Sequence, residues 1–399
     1  MNFGFTEEQE LLRQQVRKFL DDRAPLETVR QLLETPAGYS AELWREIAAL
    51  GWLGLAIPER YGGAGLTWVD IIVVLEETGR RLFPSPLMST VLAGAAIGRF
   101  GSEALKQRYL PGLADGTRIG TLALLDASGA LGPVGVTVRG ALDGGGLRIT
   151  GTKRFVIDPT AATLFVVAAR TGDAPGDARG GAPGTGSRDV PDGASGGEAD
   201  DLALAVVEAG SAGVTATALP VLDQTKRMGS LALADVRIAP EAILCRGRAA
   251  ADALRTLQSL GAIAVTAEAT GAAEEAHRLT VTYAKERVQF GKPIGRYQGV
   301  KHPLAEMYVD IESFKSLLYY AAWVADEDPP ALDRAASHAK AYTSEAFARI
   351  GIDGVQLHGA VGYTDEFDIQ LYLKRAKWVR AAFGDADFHY DRIAALGGL

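Results

Sequence analysis

A single cysteine, Cys245, serves 399 residues. One thiol cannot close an internal disulfide, which excludes a cross-linked secreted scaffold and suits a reducing compartment. Positive charge is in deficit: 41 Lys and Arg against 49 Asp and Glu leave a net charge of −8, with a pI of about 5.3. That balance argues against nucleic acid or an anionic membrane as the main partner. No run approaches the roughly 18 apolar residues of a membrane span. The opening, MNFGFTEEQE, is acidic and has no apolar core, so it does not read as a signal peptide. Together these absences lead us to expect a cytoplasmic protein. Histidines are few (His277, His302, His338, His358 and His389), and none stands at ligand spacing from another His or from Cys245, so no metal site is expected. No G-x-G-x-x-G follows a strand and no G-x-S-x-G elbow exists. The phosphate-loop-like GLRITGTK puts Thr152 where the lysine belongs and lies in a hairpin pattern.

What is present is an ordinary globular balance, 47% hydrophobic and 23% charged, in a chain long enough for more than one core. TEEQELLRQQVRKFL opens with Thr6 and Gln9 at capping-box spacing, and Leu12, Val16, Phe19 and Leu20 follow on a helical face. SAELWREIAALG, WVDIIVVLEETGRRL and GSEALKQRYLPGLADG also read as helices, and AIPERYGGAGLT as an ordered loop. From about Gly120 the period shortens to that of strands. GTLALLD, GLRITGTKRFVID, TLFVVAAR, DLALAVVEA, GVTATAL and SLALADVRI follow one another with no helices between them, which predicts a mainly antiparallel β domain. Residues 171–200 are Gly, Asp, Ala and Pro with almost nothing to bury, and read as a disordered excursion between two strands. The helical period returns near Arg248 and lasts to the end. The expected fold class is therefore a multi-domain α+β chain: an N-terminal helical domain (1–117), a middle antiparallel β domain (118–242) and a C-terminal helical bundle (243–399).

Two runs invite a chemical reading. KERVQFGKPIGRYQGVKHPLAEM ends a long helix at Arg287 and turns through Gly291 and Pro293 into another helix. Arg287 reads either as a C-terminal charge on the helix dipole or as a bidentate clamp on a phosphate. VQLHGAVGYTDEFDIQLYLKRAKW breaks an apolar helix at Gly359 and Gly362, where backbone can approach a ligand closely and Gln356 can offer its amide.

These runs, with FTEEQELLRQQVRKFL, PERYGGAGL and GSEALKQRYLPGLADG in the same order along nearly the whole chain, resemble the acyl-CoA dehydrogenase family. The resemblance implies a helix–β–helix fold, usually tetrameric, holding FAD between domains and across a subunit interface. It also implies α,β-dehydrogenation of an acyl-CoA substrate, with electron-transfer flavoprotein as acceptor. The R-x-x-F-G run, Arg287 to Gly291 with Phe290 in it, resembles the family's clamp on the FAD pyrophosphate of a neighbouring subunit. Gln298, Gln356, Gly359 and Ala360 resemble the part that receives the other half of the dinucleotide. Phe155 falls where the family sets an aromatic ring on the flavin, Ile157 where a threonine hydroxyl bonds flavin N5, and Asp126 where it writes T-E-P. Asp385 counts among the cofactor-side positions as well.

The family's catalytic glutamate stands just before a glycine, 27 residues after the Gln of the second run; counted from Gln356 that seat is Phe383, followed by Gly384. Other members carry the glutamate 29 residues before the Phe of R-x-x-F-G, which here is Gly261. Neither residue can take a proton. Glu268, two turns further along the same helix and so about 10 Å away, and Asp385 are the remaining carboxylate candidates; Asp385 and Asp387 also read as an N-cap and a first-turn acid. The resemblance thus leaves three readings: a dehydrogenase whose base lies elsewhere; a non-catalytic FAD-site subunit of a hetero-oligomer in which a Glu-bearing homologous subunit supplies the base; or a flavin-dependent oxidase or monooxygenase on the same fold. The assembly itself is expected to be a homo- or heterotetramer.

Overall fold

The computed structural model describes residues 4–171 and 201–397. In chain order the helices begin with α1 (Glu7–Arg23), α2 (Leu26–Leu33), α3 (Ala41–Ala49), α4 (Trp68–Arg80), α5 (Leu87–Phe100) and α6 (Glu103–Ala114). The strands β1 (Gly120–Ala123), β2 (Arg139–Asp143), β3 (Gly146–Ile157), β4 (Leu164–Arg170), β5 (Leu202–Glu208), β6 (Val214–Leu219), β7 (Met228–Ile238) and β8 (Ile243–Arg246) follow. Helix α7 (Arg248–Glu286) leads to a two-stranded hairpin, β9 (Val288–Gln289) and β10 (Lys292–Pro293), and then to α8 (Gln298–Glu327), α9 (Leu332–His358), α10 (Ile369–Ala381) and α11 (Ala386–Ala395). None of the described helices is long and apolar enough to cross a membrane.

The described residues form two compact units. The β unit holds, of the described residues, 89–171, 201–219 and Met228–Gln258. Its sheet runs β6-β7-β3-β2-β4-β5-β8, with β1 beside β4. The pairings are antiparallel except β1 and β2 with β4, which are parallel, so the antiparallel expectation holds for most of the sheet. β2 and β3 are joined through Gly144 and Gly145, both at positive φ, as a tight hairpin demands. Leu147, Ile149, Phe165, Val167, Leu231 and Leu233 belong to its core cluster. The expected excursion lies, from residue 172 on, outside the described residues. Its two ends meet: β4 pairs with β5 as far as Arg170 and Leu202, and the Thr171 amide donates to the Asp201 carbonyl at 2.5 Å.

The helical unit holds, of the described residues, 4–88, Pro220–Arg227 and 259–397. Thr6 and Gln9 close the capping box that starts α1. α4 and α7 cross at glycine: a Cβ on Gly79 would stand 2.0 Å from the Glu268 carbonyl oxygen, and one on Gly271 1.8 Å from that of Glu76. Any larger residue would force the helices apart. α9 is the central helix of its group, touching α8, α10 and α11 and burying Ala335, Ala336, Ala339, Phe347 and Ile350.

Candidate functional site

Six non-glycine residues among those described adopt positive φ: Leu82, Phe155, Asp158, Asp235, Phe290 and Phe383. The three phenylalanines are those that the motifs single out. Such backbone costs about 1–3 kcal/mol per residue and persists where the surroundings impose it, commonly at functional sites.

Phe155 lies in the β unit where the register of β3 against β7 shifts between Lys153 and Val156. A bulge re-aims a side chain, and this ring is left 45% exposed. Beside it the Arg154 Nε is buried and has no hydrogen-bond partner among the described residues. Asp126 does not point outward. It is buried, with Oδ1 accepting from Lys153 Nζ at 2.5 Å and Oδ2 accepting from the Thr137 and Val138 amides and the Thr137 hydroxyl. Burial lowers the Lys153 pKa and Asp126 pulls it back only in part. The pair ties the loop after β1 to β3 one residue before Arg154, so Asp126 acts by holding the strand. Ile157 is buried, and its carbonyl accepts from Thr121 Oγ1 at 2.6 Å.

In the helical unit the R-x-x-F-G run does not pass straight from helix to helix. The β9–β10 hairpin intervenes, with Gly291 at its tip. Arg287 is exposed at the end of α7, and its carbonyl accepts from the Ile294 amide at 2.8 Å. Phe290 is 91% exposed and meets the Tyr297 ring edge-on at 6.4 Å. Gln298 opens α8 and pairs with His302 at 2.7 Å. Gln356, Gly359 and Ala360 are exposed where α9 ends, and Gly359 has φ of 66°. The two runs flank one cavity of about 300 Å³, lined by Tyr283 and Glu286 from α7, by His358, which stacks on Tyr283 at 4.5 Å, and by Phe367. In the β unit an exposed strained ring beside an unpaired buried donor suits a planar aromatic system; in the helical unit an exposed guanidinium and a glycine-opened helix end suit a diphosphate.

The two positions read above as base seats, Phe383 and Gly261, meet. A Cβ on Gly261 would lie 2.2 Å from Phe383 Cε1, 2.3 Å from Cδ1 and 2.6 Å from Cζ. The ring of one seat therefore covers the other. Gly261 is buried on α7 and Phe383 half-buried in the four-residue link between α10 and α11. Gly261→Ala is expected to lower stability by about 1–3 kcal/mol, the cost of overpacking. In a Phe383→Ala background the same change should be neutral or stabilising, because alanine then gains about 0.5–1 kcal/mol over glycine in a helix. Thermal unfolding of the four proteins measures the reversal.

Neither remaining carboxylate is free. Glu268 is buried, with Oε1 accepting from Lys226 Nζ at 2.6 Å and Oε2 from Arg375 Nη1 at 3.3 Å. Arg375 also donates to Asp223 Oδ2 at 2.6 Å and Thr225 Oγ1 at 2.5 Å. Asp385 is the N-cap of α11, its Oδ1 accepting from the Phe388 amide at 2.9 Å.

Two groups escaped sequence reasoning. Lys340 on α9 is fully buried, and burial pushes its pKa down to about 7 against the pull of Asp385 and Glu345. His389 on α11 is equally buried; burial first, then Lys340 and Arg392, push it down to about 3, so the ring is neutral. The one available signal was a lysine on the alanine-rich face of α9, in register with Ala336 and Phe347.

The helix–β–helix order describes a flavin-dependent dehydrogenase fold. The chain belongs to the acyl-CoA dehydrogenase family: residues 6–117 match the model of the acyl-CoA dehydrogenase N-terminal domain, and residues 250–397 that of the C-terminal domain. FAD is the family's cofactor, and its members are oxidoreductases acting on CH–CH groups. The acyl-CoA dehydrogenase IpdE2 of Mycolicibacterium smegmatis is 31% identical over 93% of each chain. Among solved structures, a variant of the Tcur3481–Tcur3483 steroid ACAD superposes with a TM-score of 0.84 at 30% identity, covering 98% of each chain. The ChsE4–ChsE5 complex of Mycobacterium tuberculosis gives a TM-score of 0.86 at 30% identity, covering 100% of this chain and 99% of that one.

Proposed function

We propose that this chain is the base-less subunit of a two-chain acyl-CoA dehydrogenase: it holds or completes an FAD site, and a Glu-bearing homologous subunit removes the α proton. The observation that carries the reading is the contact of the Phe383 ring with Gly261. Both seats from which family members present a glutamate are filled by one hydrocarbon ring, while Glu268 and Asp385 are committed to other partners. The names of the two similar solved structures, each a pair of different chains, support a heteromeric assembly.

FAD, when bound, supplies the acceptor for the hydride that leaves the β carbon. Arg287 would hold its pyrophosphate as a charged fork, and Gln298, Gln356 and the backbone at Gly359 and Ala360 would receive the rest of the dinucleotide. Phe155 would face the ring system. With Ile157 in place of a hydroxyl, a hydrogen bond to the flavin would have to come from backbone. Electron-transfer flavoprotein would take the electrons away.

Arg287→Ala should cost about 1.5–3 kcal/mol of FAD affinity, the worth of a charge-assisted hydrogen bond, or roughly ten-fold to over a hundred-fold. Flavin content after gel filtration, with the partner present, measures it; full retention would sink the role. The subunit reading itself is tested by anaerobic bleaching of the flavin-loaded single chain with a panel of acyl-CoA thioesters, steroid-derived ones included. Little bleaching is expected until a Glu-bearing partner is added.

A further inference from the structure

The seat at position 383 is aimed by something outside its own loop. Only Ala382, Phe383, Gly384 and the N-cap Asp385 join α10 to α11, and Phe383 and Gly384 have φ of 55° and 109°. Carbonyls at a helix end and in such a link lack helical donors. Lys340 and His389 supply them. Lys340 Nζ donates to the Gly384 carbonyl at 2.7 Å and to Ser344 Oγ at 2.7 Å, and reaches the Arg380 carbonyl at 3.5 Å. An ammonium has three donors and no acceptor, so this one is fully used without a carboxylate. His389 Nε2 lies 3.0 Å from the Phe383 carbonyl and Nδ1 lies 3.1 Å from Ser337 Oγ. A carbonyl only accepts, so the proton sits on Nε2 and Nδ1 accepts from the serine. The two successive carbonyls are thus gripped by one buried side chain each, from different helices.

We propose that Lys340 and His389 are a positioning pair that fixes the Phe383–Gly384 backbone and so aims whatever side chain stands at position 383 onto residue 261 of α7. The proposal rests on reading position 383 as the base seat. Simple space-filling does not account for the pair. A lysine buried with no carboxylate in contact among the described residues is costly where a methionine would fill the volume, and its donors end largely on the link that carries the seat. Gly384 is part of the same device, because a Cβ there would lie 2.7 Å from His389 Nε2.

The test reads the position of the side chain without reading turnover. Phe383→Cys in the full, flavin-loaded chain is labelled with iodoacetamide, and each thiol is followed separately by peptide mass, with the native Cys245 as control. Adding Lys340→Met is expected to raise the labelling rate at position 383 by ten-fold or more while that of Cys245 stays constant. His389→Leu should do the same, and His389→Gln, which keeps an N–H donor, should restore slow labelling. An unchanged rate at position 383, or an equal rise at both thiols, would overturn the proposal. If Lys340→Met does not fold, the His389→Leu and His389→Gln pair decides alone, and equal rates in those two would overturn it. A single chain that turns over acyl-CoA would end the subunit reading and leave this labelling result untouched.

Discussion

The isolated chain should dehydrogenate straight-chain acyl-CoA substrates about a hundred- to ten-thousand-fold more slowly than it does together with a Glu-bearing partner, the usual cost of a missing general base. The α proton of a thioester is weakly acidic. Its removal needs an aligned carboxylate and donors to the thioester oxygen. On the proposed reading the backbone N–H of Phe383 would remain as such a donor, so ligand binding is expected to outlast turnover. Phe383→Glu sharpens the test. It returns a carboxylate to the residue before Gly384 and at the same time lifts the ring off Gly261, the contact that closes the second seat. Some bleaching by the variant alone is expected, because Lys340 and His389 hold the same two carbonyls whatever side chain projects from position 383. Rapid bleaching of the parent single chain would refute the assignment and send the search for the base to Glu268 and Asp385.

The fold was legible because its signals are local. The Thr6–Gln9 box, the two-residue turn at Gly144–Gly145 and the change from helical to strand period each lie within a few neighbours in the chain. α5 left no such mark: buried nearly all round, it has no polar face to set a period. The β9–β10 hairpin is too short for alternation to register. The motifs single out Phe155, Phe290 and Phe383, and each sits in left-handed backbone that the sequence did not announce. Neither the contact between Phe383 and Gly261 nor the grip of Lys340 on Gly384 could be read, because the partners stand 122 and 44 residues apart. Glu268 remained a candidate base for the same reason: its partner Lys226 precedes it by 42 residues and its partner Arg375 follows by 107.

Arg375→Met should be the most destabilising single change in the helical unit, by about 3–5 kcal/mol, since it leaves buried charge without its partner. Arg375 is 1% exposed and donates to Asp223, Thr225 and Glu268. Burial works against its charge, and Asp223 with Glu268 more than offsets it, so the guanidinium is held above its ordinary pKa. Asp223, Thr225 and Lys226 belong to the segment Pro220–Arg227, between β6 and β7, which packs with the helical unit. The network is therefore what ties that segment to α7 and α10. Lys226 and Arg375 both lie over the Trp378 ring, at 5.3 and 5.8 Å, which adds cation–π attraction to the ion pairs. Glu268→Gln separates the structural role from a catalytic one. As an ion-pair member Glu268 gives up stability when neutralised, through Lys226 and Arg375, and the partner-supported rate per folded, flavin-loaded molecule is unchanged. As a base it would give up that rate by at least about a hundred-fold, with stability a lesser effect. Denaturant unfolding and single-turnover bleaching on the same preparation measure both, and a rate loss of that size in a stable, flavin-loaded variant would return Glu268 to the role of base.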